Sequence, residues 1–157
     1  AIVIAGLAPK AAWYVEAKGD AARGRHRRAV ATWRSLLSDP FAAEIPELAF
    51  AASKSAARFD AALSEALSAR GRVLQGFEEL RADERPAAER DFRAAIGKVE
   101  GLAAAHYGLA CVLARDGREA EAIAALARAI ELDPNVAIRA RDEPDLAVVR
   151  TKVSPPP

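Results

Sequence analysis

The sequence predicts an all-α fold, a right-handed superhelical stack of helical hairpins. Three observations lead there. Runs of alternating β-branched residues are missing, while large apolar residues return every three to four positions, the helical period. Alanine supplies 40 of the 157 residues and aromatics only 6%, a composition that suits closely approaching helices. The spacing also repeats. A shift of 34 positions sets Gly76 under Ala110, Ala88 under Ala122, Phe92 under Leu126 and Ala95 under Ala129, a period typical of stacked hairpins.

The elements follow in chain order. Residues 1–9 are an apolar segment closed by Pro9 and Lys10, less than half of the roughly 20 residues that cross a bilayer. It is expected either to pack on the first helix or to be the remnant of a trimmed signal or anchor helix, the chain containing no methionine. A first hairpin over 10–43 is marked by Trp13, Ala17, Gly24, Ala29, Trp33, Leu36 and Asp39-Pro40, in the same order as the second copy but 59 positions upstream. Residues 44–68 interrupt the array as an inserted helical segment. Pro46-Glu47 suits a first helical turn, and Leu48, Phe50, Phe59, Leu63, Leu67, Val73 and Leu74 are candidate core. The stretch 44–82 reads either as one long helix or as two broken near Ser53-Lys54-Ser55.

A second hairpin covers 69–102 and a third 103–136. In the third, Tyr107, Leu109, Val112 and Leu113 precede a turn at Asp116-Gly117, and Ile123, Leu126, Ile130 and Leu132 follow it. Glycine there tolerates the left-handed backbone that closes a helix, and Asp133-Pro134 ends the hairpin because proline disfavours helix in its predecessor. Residues 137–153 are a capping segment, with a short amphipathic helix around 144–149 expected over the exposed face of the last hairpin. The end, Ser154-Pro155-Pro156-Pro157, reads as an extended, solvated tail.

These residues resemble the tetratricopeptide repeat family. The best unit is 103–136, with Leu109-Ala110, Leu113, Gly117, Ala122, Leu126, Ala129 and Asp133-Pro134-Asn135 in their family places. In 69–102, Gly76, Ala88, Phe92 and Ala95 fit while Arg72, Glu79 and Glu100 depart; in 10–43, Asp20 and Leu36 depart. The resemblance implies a concave groove lined by the first helix of each unit. Carried onto this chain, that surface comprises Tyr14 and Lys18, then Arg70, Val73, Phe77, Leu80 and Arg81, then Tyr107, Cys111 and Arg115. Aromatic platforms beside cations suit a peptide or helix with apolar anchors and acidic groups. A purely structural role, with Val73 and Phe77 packing on the 44–68 segment, is the other reading of the same residues. The lysine and asparagine clamp that some family members use for chaperone C-termini is not matched, since Tyr14, Lys18, Leu74, Ala104 and Gly108 stand at its positions.

Catalysis finds little support. Neither glycine-rich phosphate motif occurs, His26 and His106 are far apart, and H-E-x-x-H and C-x-x-C are absent. Cys111 is the single cysteine, which forbids an internal disulfide and reads as a small apolar helix residue. Formal net charge is +1, so no strong field draws the chain to polyanions. Residues 1–40 hold seven Lys or Arg against three Asp or Glu; the run Arg23-Gly24-Arg25-His26-Arg27-Arg28 is read as a solvated turn and outer helix face in preference to a nucleic-acid patch.

The function expected is a non-catalytic scaffold, without metal or small-molecule cofactor, that binds a peptide or helical segment of another protein, an acidic one by the groove's charge. The alternative is a structural subunit of a larger complex, with membrane contact through residues 1–8. Self-association is a further expectation, because three hairpins are near the lower limit for an independent array. Compartment stays open between the cytoplasm and a periplasmic or membrane-associated setting.

Overall fold

In the computed structural model the described residues are 16–35, 37–38 and 46–153. The segment 1–9, Trp13, Tyr14, Leu36, Asp39-Pro40 and the 154–157 tail lie outside them. All regular structure among the described residues is helical. The chain divides into two compact units, 1–74 and 75–157.

In the first unit, helical residues 16–22 (α1) are followed by α2 (His26–Ser35), α3 (Pro46–Ala56) and the first part of α4 (Ala61–Arg81). Alanines line these helices where they meet. Ala17, Ala29, Ala52 and Ala56 surround Trp33, which is 1% exposed, together with Leu63 and Leu67. Ala52, Ala56, Leu63 and Leu67 of the expected inserted segment thus lie in this unit's core. Of the two readings of 44–82, the structure has two helices, and the break falls at 57–60. Ser53 stays inside α3, where its hydroxyl donates to the Ser64 carbonyl at 2.8 Å. Asp60 starts the next helix as its N-cap, accepting the Leu63 N–H at 2.9 Å. Phe59, expected in the core, is 37% exposed and stacks on His26 at 4.3 Å.

Asp20, which departs from the apolar pattern, is 2% exposed and neutralised by the basic run. Arg25 Nε donates to its Oδ1 at 2.7 Å and Arg28 Nε lies 3.0 Å from its Oδ2. Two of the four arginines in that run thus serve a buried carboxylate.

The second unit holds the end of α4, then α5 (Arg85–Lys98), α6 (Ala103–Arg115), α7 (Glu119–Leu132), α8 (Val136–Arg141) and a 3₁₀ turn, Pro144–Leu146. Phe92 of α5, fully buried, is its wedge. A Cβ added to Gly76 of α4 would sit 2.9 Å from the Phe92 ring, and one added to Gly108 of α6 only 2.2 Å from it. The two glycines thus make room for one aromatic ring. Phe77 completes the cluster edge-on, with ring centroids 5.0 Å apart. Helices α5 and α7 are tied by Arg118, whose guanidinium reaches Glu89 at 2.9 Å and Glu121 at 2.7 Å.

Helix closure repeats. Gly24, Asp83 and Gly117 have φ of 74°, 58° and 71°. Each is followed by a residue whose N–H returns to a carbonyl five positions back: Arg25 to Asp20 at 2.8 Å, Glu84 to Glu79 at 2.8 Å and Arg118 to Leu113 at 2.9 Å. This is the Schellman closure, set at the 59- and 34-residue offsets found in the sequence. Helices α5 and α7 also end alike, with Val99 and Asp133 N–H groups bonded to Ala95 and Ala129.

Candidate partner-binding surfaces

Lys18 stands exposed on α1 at an open cleft of about 400 Å³ in the first unit. Trp33 of α2 and Leu48, Ala51, Ala52, Lys54 and Ser55 of α3 complete the lining. The lining is mostly apolar, because Leu48, Ala51 and Ala52 of α3 and Trp33 of α2 contribute most of it, with Ser55 the one neutral polar side chain. Lys18 and Lys54 are both exposed, and neither has an ion pair among the described residues. Trp33, Leu48 and Lys54 were not among the groove residues read from the sequence. The resemblance directs attention to first helices only, and the lining here comes mostly from α2 and α3.

The other groove candidates have varied settings. Arg70 and Val73 of α4 are 4% and 2% exposed. Arg81 is exposed and Phe77 half-buried. Phe77 and Tyr107 come together, ring centroids 6.3 Å apart, whereas Tyr14 lies outside the described residues.

On α6 the expected groove residues Tyr107 and Cys111 are buried. What faces them is the chain's own C-terminal segment. The 3₁₀ turn packs on α6, with Leu146 fully buried and Val149 2% exposed. Arg115 donates through Nε to Asp145 Oδ2 at 2.6 Å and through Nη1 to the Leu80 carbonyl at 2.8 Å. The Tyr107 hydroxyl reaches Glu143 Oε2 at 3.5 Å. Glu143 also accepts the Asp145 N–H, capping the turn. The sequence signal for this contact was available in the acid–Pro–acid–Leu run of 143–146, which caps a turn and presents two carboxylates to one arginine-bearing helix.

Burial, and then the carboxylates of Glu143 and Asp145, push the Cys111 thiol well above its usual range. Burial, followed by Cys111 and Glu143, does the same to the Tyr107 phenol. A nucleophilic cysteine needs the opposite environment. Among the described residues no three His, Cys, Asp or Glu side chains converge into a metal-holding group, and no helix is long and apolar enough to cross a membrane.

Paired helices with alanine at the crossings and a shared closure are the features of a helical-repeat fold. Residues 103–136, which hold the α6–α7 hairpin, match the tetratricopeptide repeat family. Repeats of this kind generally mediate protein–protein interaction. Neither curated proteins nor solved structures gave a match to the chain.

Proposed function

We propose that this protein is a non-catalytic interaction module that binds a segment of another protein through the Lys18–Trp33–Lys54 cleft. One observation carries the reading: an open apolar trough whose lining brings two exposed lysines without a carboxylate partner among the described residues. A bulky apolar side chain fills such a trough, and carboxylates beside it meet the ammonium groups, giving affinity from burial and orientation from charge. The partner segment is accordingly acidic with an apolar anchor. Selection from a random peptide library tests this. Enriched sequences should place Asp or Glu beside a large apolar residue, and their binding should fall at least tenfold in Lys18→Glu/Lys54→Glu with helicity intact. Selected peptides that bind both proteins equally would refute it.

A second reading, a subunit within a larger assembly, draws on Ile138 and Val148, which are 57% and 60% exposed near the C-terminal end. Light scattering on wild type and Ile138→Asp/Val148→Asp tests it, with loss of an oligomer expected.

A further inference from the structure

The α6 face of the second unit already holds a peptide-like occupant. From Glu143 to Val149 the chain runs as turns rather than a long helix, and its 3₁₀ turn, Pro144–Leu146, packs on α6. Leu146 and Val149 are buried, Asp145 pairs with Arg115 at 2.6 Å, and Glu143 meets the Tyr107 hydroxyl. This is the arrangement of a bound ligand: two aliphatic anchors three residues apart, and two carboxylates two residues apart on a cation and a phenol. Arg115 is held ready for it, its guanidinium also fixed by the Leu80 carbonyl, so little side-chain freedom is lost when a carboxylate arrives.

We propose that residues 143–149 are a resident competitor: the α6 face binds, from a partner, a segment of the same acid–Pro–acid–aliphatic chemistry by displacing this strap. The proposal rests on the interaction-module reading but is located at a different surface from the Lys18–Lys54 cleft. A tethered occupant is present at high effective concentration, so a free partner competes only when its own contacts are better or when the strap is weakened. The affinity measured for the intact chain is then lower than the surface itself supplies.

Cys111 is buried within electrostatic reach of Glu143 and Asp145 and is the only cysteine in the chain, so its modification reports opening once the effect of those carboxylates is controlled. Labelling of Cys111 by a maleimide should accelerate at least tenfold in Leu146→Ala, where both carboxylates that disfavour the thiolate remain, and, with the helical melting curve in place, in Glu143→Gln/Asp145→Asn. A fluorescein-labelled peptide of residues 141–152 should bind this variant at least tenfold more tightly than wild type, and Arg115→Ala in the same background should abolish the binding. Unchanged labelling, or accelerated labelling with no gain in peptide affinity, would overturn the proposal and leave the cleft reading standing, because that is read separately with Lys18→Glu/Lys54→Glu. If the double variant fails to fold, Cys111 labelling in the unaltered chain decides. Labelling faster than global unfolding supports a separable strap, and labelling only at the unfolding rate sinks it.

Discussion

Phe92 shows how one residue sets the terms for its neighbours. Its ring occupies the space that side chains at Gly76 and Gly108 would need, so the glycines are demanded by the aromatic and not by any turn. Phe92→Ala should cost about 3–5 kcal/mol, the usual range for emptying a buried aromatic site. Gly108→Ala should cost about 1–3 kcal/mol by overpacking, because a methyl 2.2 Å from the ring forces the ring or the helix to shift. Both are read as urea midpoints. Combining Gly108→Ala with Phe92→Leu should recover part of the loss, since the new methyl then meets a smaller side chain. A strictly additive double variant would show that the two sites do not share the space.

At the scale of the element, the hairpins are defined by how their first helices stop. Gly117 and Asp83 close α6 and α4 with the same left-handed residue and the same returning hydrogen bond. Gly117→Ala should destabilise by about 1–2 kcal/mol, the cost of putting a Cβ into left-handed backbone. Asp83→Gly should be close to neutral, because relief of that strain offsets the added freedom of the unfolded chain. Urea titrations of both variants measure this, and equal losses would contradict it. These closures were legible in the sequence because Gly24 and Gly117 announce them and the 34-residue offset carries the third to Asp83. The break between α3 and α4 was less so. Ser53 and Ser55 read as weak helix formers, yet Ser53 spends its hydroxyl on the Ser64 carbonyl of the neighbouring helix, and the stop belongs to Asp60, whose capping role needs Leu63 in place. Helix α4 was hard to read for a related reason. At 21 residues it contributes Leu63 and Leu67 to one core and packs Gly76 and Phe77 on Phe92 in the other, so a single hairpin assignment describes only part of it.

Across the whole molecule, the candidate surfaces depended on contacts distant in sequence. Lys18 was marked by its place in a first helix, but Lys54 joins it only because α3 packs beside α2, and Arg115 meets Asp145 only because the C-terminal segment folds back over 30 positions. Charge balance ties such contacts to pH. Asp60 is held below the usual carboxylate range by the Leu63 N–H and then by Arg34, and Glu121 by Arg118. At Glu89 burial pushes upward, but Arg93 and Arg118 outweigh it and the net direction is down. These three groups contribute stability that is present above about pH 4–5 and lost as the pH falls through their folded values. Glu79 behaves in the opposite sense. Burial, then its hydrogen bond and repulsion with Asp91, raise it, and Asp91 is fully buried. Its contribution is complete below about pH 4 and disappears as the pH rises through the raised folded value. Glu79→Gln removes that liability and retains an oxygen able to accept from Gln75, which bonds Glu79 at 3.3 Å. Thermal unfolding followed by circular dichroism between pH 3 and 8, a range chosen to cover roughly the carboxylate values, should therefore give two results. Wild-type Tm falls on acidification, where three depressed groups outweigh one raised group and 23 Lys and Arg lose the carboxylates that balance them. The Glu79→Gln protein melts above wild type at neutral pH, and the two curves converge in acid. A difference that persists unchanged to the acid end would mean that ionisation of Glu79 is not its cause, and one of reverse sign at neutral pH would mean that Arg90, 3.5 Å from Glu79, stabilises it as a charge.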